Sequence, residues 1–252
     1  MMKNISLLVC ILVVCLLVSC AHKSGHTKNK EYFQSKNVRT SSKQVNVVAD
    51  EQVWLDIEGS RDNRRKLDGA QIFARYNTAV FMVFTSDGWN VYQGSGFFVN
   101  KSGLAVSNYH VFKDTGIGEE GIKLIGSDEI YKVAEVIQCS EKEDFILFRV
   151  SISNTNYIPV APNKPHVGDK VFAIGSPRGL ENTFSSGEVS QWRAENKMQI
   201  SALIDHGSSG GALINEYGEV VGITSGTFYD GSQANLNYAW SIDVIKPFVN
   251  IK

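Results

Sequence analysis

Asp205-His206-Gly207-Ser208-Ser209-Gly210-Gly211-Ala212-Leu213 is a polar, glycine-rich turn set between two apolar strands. Glycine tolerates backbone angles with φ > 0. Consecutive amides here can therefore point inward as an anion nest while the hydroxyl of Ser209 stands above them. A serine hydroxyl is a poor nucleophile unless a positioned base takes its proton. Plain hairpin loops also use glycine and serine, so partners elsewhere in the chain decide between the two readings.

The base candidate is His110, in Ser107-Asn108-Tyr109-His110-Val111-Phe112, where a strand runs into a turn. The other histidines compete less well. His22 and His26 sit in a basic N-terminal stretch, His166 lies in a proline-flanked loop, and His206 neighbours the proposed nucleophile and could line its pocket. A carboxylate that orients the imidazole belongs at the edge of an apolar strand, and Asp144, just before Phe145-Ile146-Leu147-Phe148, stands there. A turn aspartate would occupy the same place for its own reasons; Asp128 reads as such a turn residue. The chain order His110, Asp144, Ser209 differs from the Ser-Asp-His order of α/β-hydrolases.

Outward from these motifs the chain reads as many short strands split by Gly, Asn and Asp turns, expected at 79–85, 91–99, 104–107, 130–137, 145–150, 170–174, 198–204, 220–224 and 236–242. Apolar residues at 72, 73 and 76 predict a short helix near the start of the folded body, and 243–249 a terminal helix interrupted by Pro247. With no fixed-period repeat and no long helical pattern, an all-β sandwich or barrel pair is favoured.

The N-terminus is of another kind. Lys3 precedes a run from Ile5 to Ser19 that is apolar apart from Ser6 and Ser19, too short to span a bilayer core of about 30 Å. A basic front, a short apolar run and small residues at its end read as a secretory signal peptide, residues 1–19. Leu17-Val18-Ser19-Cys20 resembles the lipobox of bacterial lipoproteins, in which the cysteine is lipidated with acyl chains such as palmitate. An ordinary signal peptide with one more tolerated cysteine, beside Cys10 and Cys15, is the other reading. With those residues removed or lipidated, Cys139 alone remains and no intrachain disulfide is possible; it is read as a small buried hydrophobe. Residues 21–44 carry six Lys or Arg against Glu31 alone, so 20–66 reads as a lipidated cysteine and basic flexible linker, leading to a folded domain at 67–252. With +5 in the stretch and +1 at Lys3, the total charge of −1 leaves −7 for residues 45–252. The basic stretch is either a solvated tether or a patch for anionic headgroups. The composition, 43% hydrophobic and 20% charged, excludes wholesale disorder, collagen and a multi-span membrane protein.

These residues together resemble the trypsin-like serine proteases of the HtrA/Deg type. The resemblance covers about 68–250 and runs through Gly94-Ser95-Gly96-Phe97, Ser107 to Val111, Asp144 to Leu147, Val171 to Pro177, Gly207 to Gly211 and Val221-Gly222-Ile223. It implies two six-stranded antiparallel β-barrels with the site in the cleft between them, His110 and Asp144 from the first and Ser209 from the second. It also implies a serine endopeptidase working through an acyl-enzyme, with an oxyanion hole at the amides of Gly207 and Ser209. By the same resemblance the primary pocket is framed by Leu203 and by Thr224, Ser225 and Gly226, while Asn237 and His206 are either polar modifiers of it or plain surface residues of a strand and a loop. Leu203 stands about where trypsin carries its pocket carboxylate, so small or aliphatic P1 residues are expected rather than Lys or Arg. Three features depart from the family. Ser208 replaces a usual asparagine, the turn at 85–90 is short where relatives carry a regulatory loop, and the chain stops at Lys252 where a peptide-binding PDZ domain is expected. Substrates would be unfolded or extended polypeptides, the location a lipid-anchored place in the bacterial cell envelope, and oligomerisation stays open. A catalytically silent protease-fold lipoprotein that grips extended peptides is the alternative. With neither His-Glu-x-x-His nor paired Cys-x-x-Cys, and no Gly-x-x-x-x-Gly-Lys-Ser/Thr loop, no metal, cofactor or nucleic acid is expected.

Overall fold

The computed structural model describes residues 55–59, 65–113, 115, 120–176, 182–228 and 236–252. The signal segment 1–19, Cys20 and the basic stretch 21–44 lie outside them. In chain order the elements are β1 (Asp56–Ile57), α1 (Gly69–Tyr76), β2 (Val80–Ser86), β3 (Val91–Phe98), β4 (Leu104–Ser107), α2 (Tyr109–Phe112), β5 (Gly121–Lys123), β6 (Ile130–Ser140), β7 (Phe145–Val150), β8 (Lys170–Gly175), β9 (Thr183–Trp192), β10 (Lys197–Ile200), β11 (Ala212–Asn215), β12 (Val220–Phe228), β13 (Leu236–Ser241) and β14 (Asn250–Ile251). One closed barrel has the order β2-β3-β4-β7-β6-β5 and a second β10-β13-β12-β11-β8-β9. The expected pair of six-stranded antiparallel barrels is what the chain forms.

Strands apolar on both faces explain why the barrels stay together. In β7, Phe145 and Leu147 enter a cluster shared by both barrels, while Ile146 and Phe148 fill the first barrel. In β8, Phe172 and Ile174 enter the shared cluster, while Val171 and Ala173 fill the second. Alternate residues of a strand point to opposite faces, so a strand covered on both sides reads as an unbroken apolar run. The helix α1 caps this layer. Asp68 accepts from the Gln71 amide at 2.9 Å and the Gln71 side chain accepts from the Asp68 amide at 3.1 Å, a closed capping box. Ile72 and Tyr76, on one helix face, are buried.

Three barrel strands escape the sequence pattern. The strand β5 has only three residues, β9 alternates polar residues that face solvent, and β11 begins inside the motif read as a turn, at Ala212 and Leu213. The expected strand 198–204 ends at Ile200, although Ala202 and Ile204 remain buried. The expected terminal helix is instead a 3-10 helix, Ile242–Phe248, with Pro247 inside it and β14 after it. Proline has no amide hydrogen to donate.

Residues assigned to the linker are also part of the body. Ile57 is 1% exposed, β1 pairs in parallel with β14, and Asp56 forms an ion pair with Lys252. The Val160 amide donates to Glu58 at 3.2 Å, which joins this segment to the body behind the barrels. At the β2–β3 turn the Asn90 amide, the Tyr92 hydroxyl and the Trp89 amide hold the Asp87 carboxyl well below the usual carboxylate range. This tight turn leaves Trp89 94% exposed.

Phe148, fully buried in the first barrel, should be far more sensitive than Trp89. Urea unfolding is expected to show Phe148→Ala losing about 3–5 kcal/mol and Trp89→Ala staying within about 0.5 kcal/mol of the parent.

Candidate active site

His110 lies on α2, whose next two residues, Val111 and Phe112, are buried in the first barrel. The Thr85 hydroxyl of β2 donates to the Val111 carbonyl at 2.8 Å, so the short helix is tied to the barrel wall. With its neighbours turned inward, the imidazole faces outward, its side chain 45% exposed. Its Nδ1 lies 3.0 and 2.9 Å from the two carboxylate oxygens of Asp144, and its backbone amide donates to Asp144 Oδ1 at 3.0 Å. The Asp144 side chain is 16% exposed. Its backbone is left-handed, with φ at 45°, and the Nδ2 of buried Asn108 donates to its carbonyl at 2.7 Å. The remaining side of the carboxylate accepts from the Ser225 hydroxyl at 2.7 Å.

Ser209 arrives from the second barrel. Its carbonyl accepts from the Ser95 amide of β3 at 2.8 Å. The meeting point with α2 is Gly94, where an added Cβ would lie 2.6 Å from Val111 Cγ1 and 3.2 Å from the Ser209 carbonyl oxygen. Gly210 has φ at 88°, and a Cβ there would fall 2.1 Å from the Ser95 carbonyl oxygen, so only glycine fits. The Gly210 amide donates to the Thr224 carbonyl at 2.7 Å. The Ser208 carbonyl accepts from the Thr224 hydroxyl at 2.7 Å and the Gly211 amide at 3.0 Å. A peptide unit is planar and trans, so pinning that carbonyl aims the Ser209 amide the opposite way. No hydrogen bond joins the Ser209 hydroxyl to the His110 ring among the described residues; such bonds commonly tighten only when substrate is bound.

The structure thus brings the His110, Asp144 and Ser209 segments together, and it redistributes the residues expected around the pocket. Thr224 is 1% exposed and its hydroxyl is committed to the Ser208 carbonyl. Ser225 turns toward Asp144. Pairing of β12 with β13 shifts register between Thr224 and Gly226, and a bulge of this kind re-aims a side chain. Gly226 lies beside Ser209, a Cβ there falling 3.7 Å from its Oγ. Leu203 is 63% exposed, so its side chain does not wall an enclosed pocket; its carbonyl accepts from Ser185 Oγ at 2.8 Å. Asn237 is buried on β13, opposite Ile200 and Thr227. His206 and His166 are exposed. Asp128 is a turn residue paired with Lys123. Cys139 is half-buried against the first barrel's core, and burial pushes its thiol pKa up, which disfavours the nucleophilic thiolate. Sequence reading gave Asn108 no role, and nothing but its place two residues before His110 signals one.

Residues 94–223 match the trypsin-like peptidase domain family, and the chain belongs to it. Its relatives are proteolytic enzymes by name. It is 32% identical over 175 residues to a probable periplasmic serine endoprotease DegP-like of Rhizobium meliloti, covering 63% of this chain and 32% of that one. It is 31% identical over 166 residues to the serine endoprotease DegS of Haemophilus influenzae, covering 60% and 47%. A solved serine endoprotease from Yersinia pestis is similar at a TM-score of 0.64 and 26% identity, over 73% of this chain and 65% of that one. The chain spans about a third to a half of these two curated relatives' length.

Thr224→Val removes a hydroxyl that serves a buried carbonyl while keeping the side chain's shape. The variant is expected to lose about 1 kcal/mol in chemical denaturation, with the Gly211 amide still holding the Ser208 carbonyl.

Proposed function

We propose that this protein is a serine endopeptidase that cleaves extended polypeptide segments, with His110, Asp144 and Ser209 as its triad. The observation that carries the proposal is the carboxylate of Asp144, seated on both His110 Nδ1 and the Ser225 hydroxyl, beside a nucleophile turn whose carbonyls are pinned. An aspartate on Nδ1 holds the imidazole in the tautomer whose Nε2 can take a proton, and it stabilises the imidazolium that results. Ser209 Oγ would attack the peptide carbonyl carbon as its proton passes to His110 Nε2. The oxyanion so formed would accept from the amides of Gly207 and Ser209. Collapse expels the amine, protonated by His110, and water then hydrolyses the acyl-enzyme by the same route. The substrate backbone would lie along the strand at Ser225-Gly226-Thr227 as an added strand. Small or aliphatic P1 residues are the proposed preference, on the resemblance that sets Leu203 about where trypsin carries its pocket carboxylate.

The N-terminal reading completes the proposal. Residues 1–19 would be a lipoprotein signal peptide, Cys20 the lipidated residue, and the basic stretch a tether holding the peptidase at a membrane of the bacterial envelope. Among the described residues no helix is long and apolar enough to cross a membrane. The names of the DegP-like and DegS relatives, a periplasmic and a serine endoprotease, favour the same setting.

A fluorophosphonate probe is expected to label Ser209, with labelling lost in Ser209→Ala and His110→Ala. Peptide hydrolysis by Ser209→Ala should fall roughly 10⁴-fold or more with thermal unfolding unchanged. A folded wild-type domain that neither labels nor cleaves, yet binds extended peptides, would instead identify the silent peptide-gripping lipoprotein. Expressed in a bacterium fed a labelled fatty acid, the full chain should take up label and Cys20→Ser should not; label retained by Cys20→Ser would remove the lipoprotein assignment.

A further inference from the structure

We propose that Ser95 is a positioning residue for the oxyanion hole, acting through the carbonyl of Gly207; this rests on the serine-peptidase assignment above. Ser95 is wholly buried on β3 of the first barrel, while the turn it holds belongs to the second. Its amide donates to the Ser209 carbonyl at 2.8 Å, and its carbonyl accepts from the Ser107 hydroxyl at 2.6 Å. Its hydroxyl donates to the Gly207 carbonyl at 2.7 Å and accepts from the Ser176 amide at 2.8 Å. Ser176 is itself fixed, its hydroxyl donating to Asn182 Oδ1 at 3.0 Å and its carbonyl accepting from Gln93 Nε2 at 2.6 Å. With both a donor and an acceptor partner in place, the Ser95 hydroxyl has one orientation.

That orientation bears on the amide of Gly207. The peptide unit between Gly207 and Ser208 is held at its carbonyl by Ser95 Oγ and at its N–H by the Asp205 carbonyl, 2.9 Å away. Gly207, with φ at 93°, is the joint between this unit and the one before it, which carries the other proposed oxyanion donor. Glycine rotates freely about both of its dihedrals, so the direction of its N–H depends on what clamps the next unit. The Ser209 amide is aimed independently, through Thr224 and Gly211. Loss of the Ser95 hydroxyl would therefore loosen one donor of the two and leave the other in place.

The test is Ser95→Ala in the full chain, with active sites counted by fluorophosphonate titration. Outright loss of an oxyanion donor costs about 10²–10³-fold in kcat. A loosened donor is expected to cost about 10–100-fold in kcat per titrated site, with KM within about threefold. Affinity for a peptide aldehyde, whose hemiacetal oxygen enters the hole, should fall by the same factor, and affinity for a cleaved product peptide should not. Ser95→Cys keeps a weak donor of similar volume; it should fall between the two and serves if the alanine variant does not fold. A lowered Tm or titrated fraction, with kcat per site and aldehyde affinity as in wild type, would overturn the positioning role and leave the peptidase assignment standing. Wild-type protein that neither labels at Ser209 nor cleaves would overturn the peptidase assignment, and the positioning role with it.

Discussion

The layer of apolar side chains shared by the two barrels is the constraint on which everything else depends. Leu104 and Val106 of β4, Ala212 and Ile214 of β11, and Val220 and Ile223 of β12 all enter it, with Ile57, Ile72 and Tyr76 closing its flank. Each fully buried side chain of this size contributes about 1.5–3 kcal/mol relative to exposure. The relative placement of the barrels is thereby fixed, and so is the meeting of segments far apart in sequence at the rim. Polar bonds across the barrels finish the alignment: Ser95 to Ser209, Gln93 to Ser176, and Asn196 Nδ2 to Glu143 Oε1 at 2.7 Å, next to Asp144.

Asp144 shows how such a site bears local strain. A left-handed residue other than glycine costs about 1–2 kcal/mol, a cost that aspartate tolerates better than bulkier residues. Here the Asn108 amide, the His110 amide and ring, and the Ser225 hydroxyl converge on the one residue. These contacts over-determine its conformation and keep the carboxylate aimed at the imidazole.

The candidate site was read from residue type in chain order: a histidine at a strand end, an aspartate before an apolar run, a serine among glycines; of these the structure joins His110 to Asp144. The strands that carry these residues were legible for the same reason that they are buried. The strand β9 was not, since Thr183–Trp192 exposes polar residues and lacks the apolar run, and β11 was hidden because Ala212 and Leu213 complete the glycine-rich motif. The side-chain partners of Thr224 and Ser225, the Ser208 carbonyl and Asp144, were not legible. Their orientation follows from a register shift between two strands, and no single stretch of sequence records a register. Leu203 is exposed because inward and outward positions keep alternating past Ile200: Met198, Ile200, Ala202 and Ile204 are buried, and Leu203 falls on the outer face. The 3-10 turn at 242–248 kept its buried face, Ile242, Val244 and Ile245, but not the helix type.

The parallel pairing of β1 with β14 sets an order of events. Asp56 and Asn250, bonded side chain to side chain, stand 194 positions apart in sequence, and a contact of that separation closes late because the intervening chain must be gathered first. Ile57 belongs to the shared apolar layer, and although Val160 also bonds its segment through Glu58, the strand that pairs with β1 does not exist until residues 250–251 have emerged. A chain delivered from its N-terminus, whether by a ribosome or through a membrane pore, would therefore pass through a stage with one flank of its central layer still wet. Pairing with residues 250–251 thus acts as a latch, and until it forms that flank offers apolar chain to proteases and chaperones.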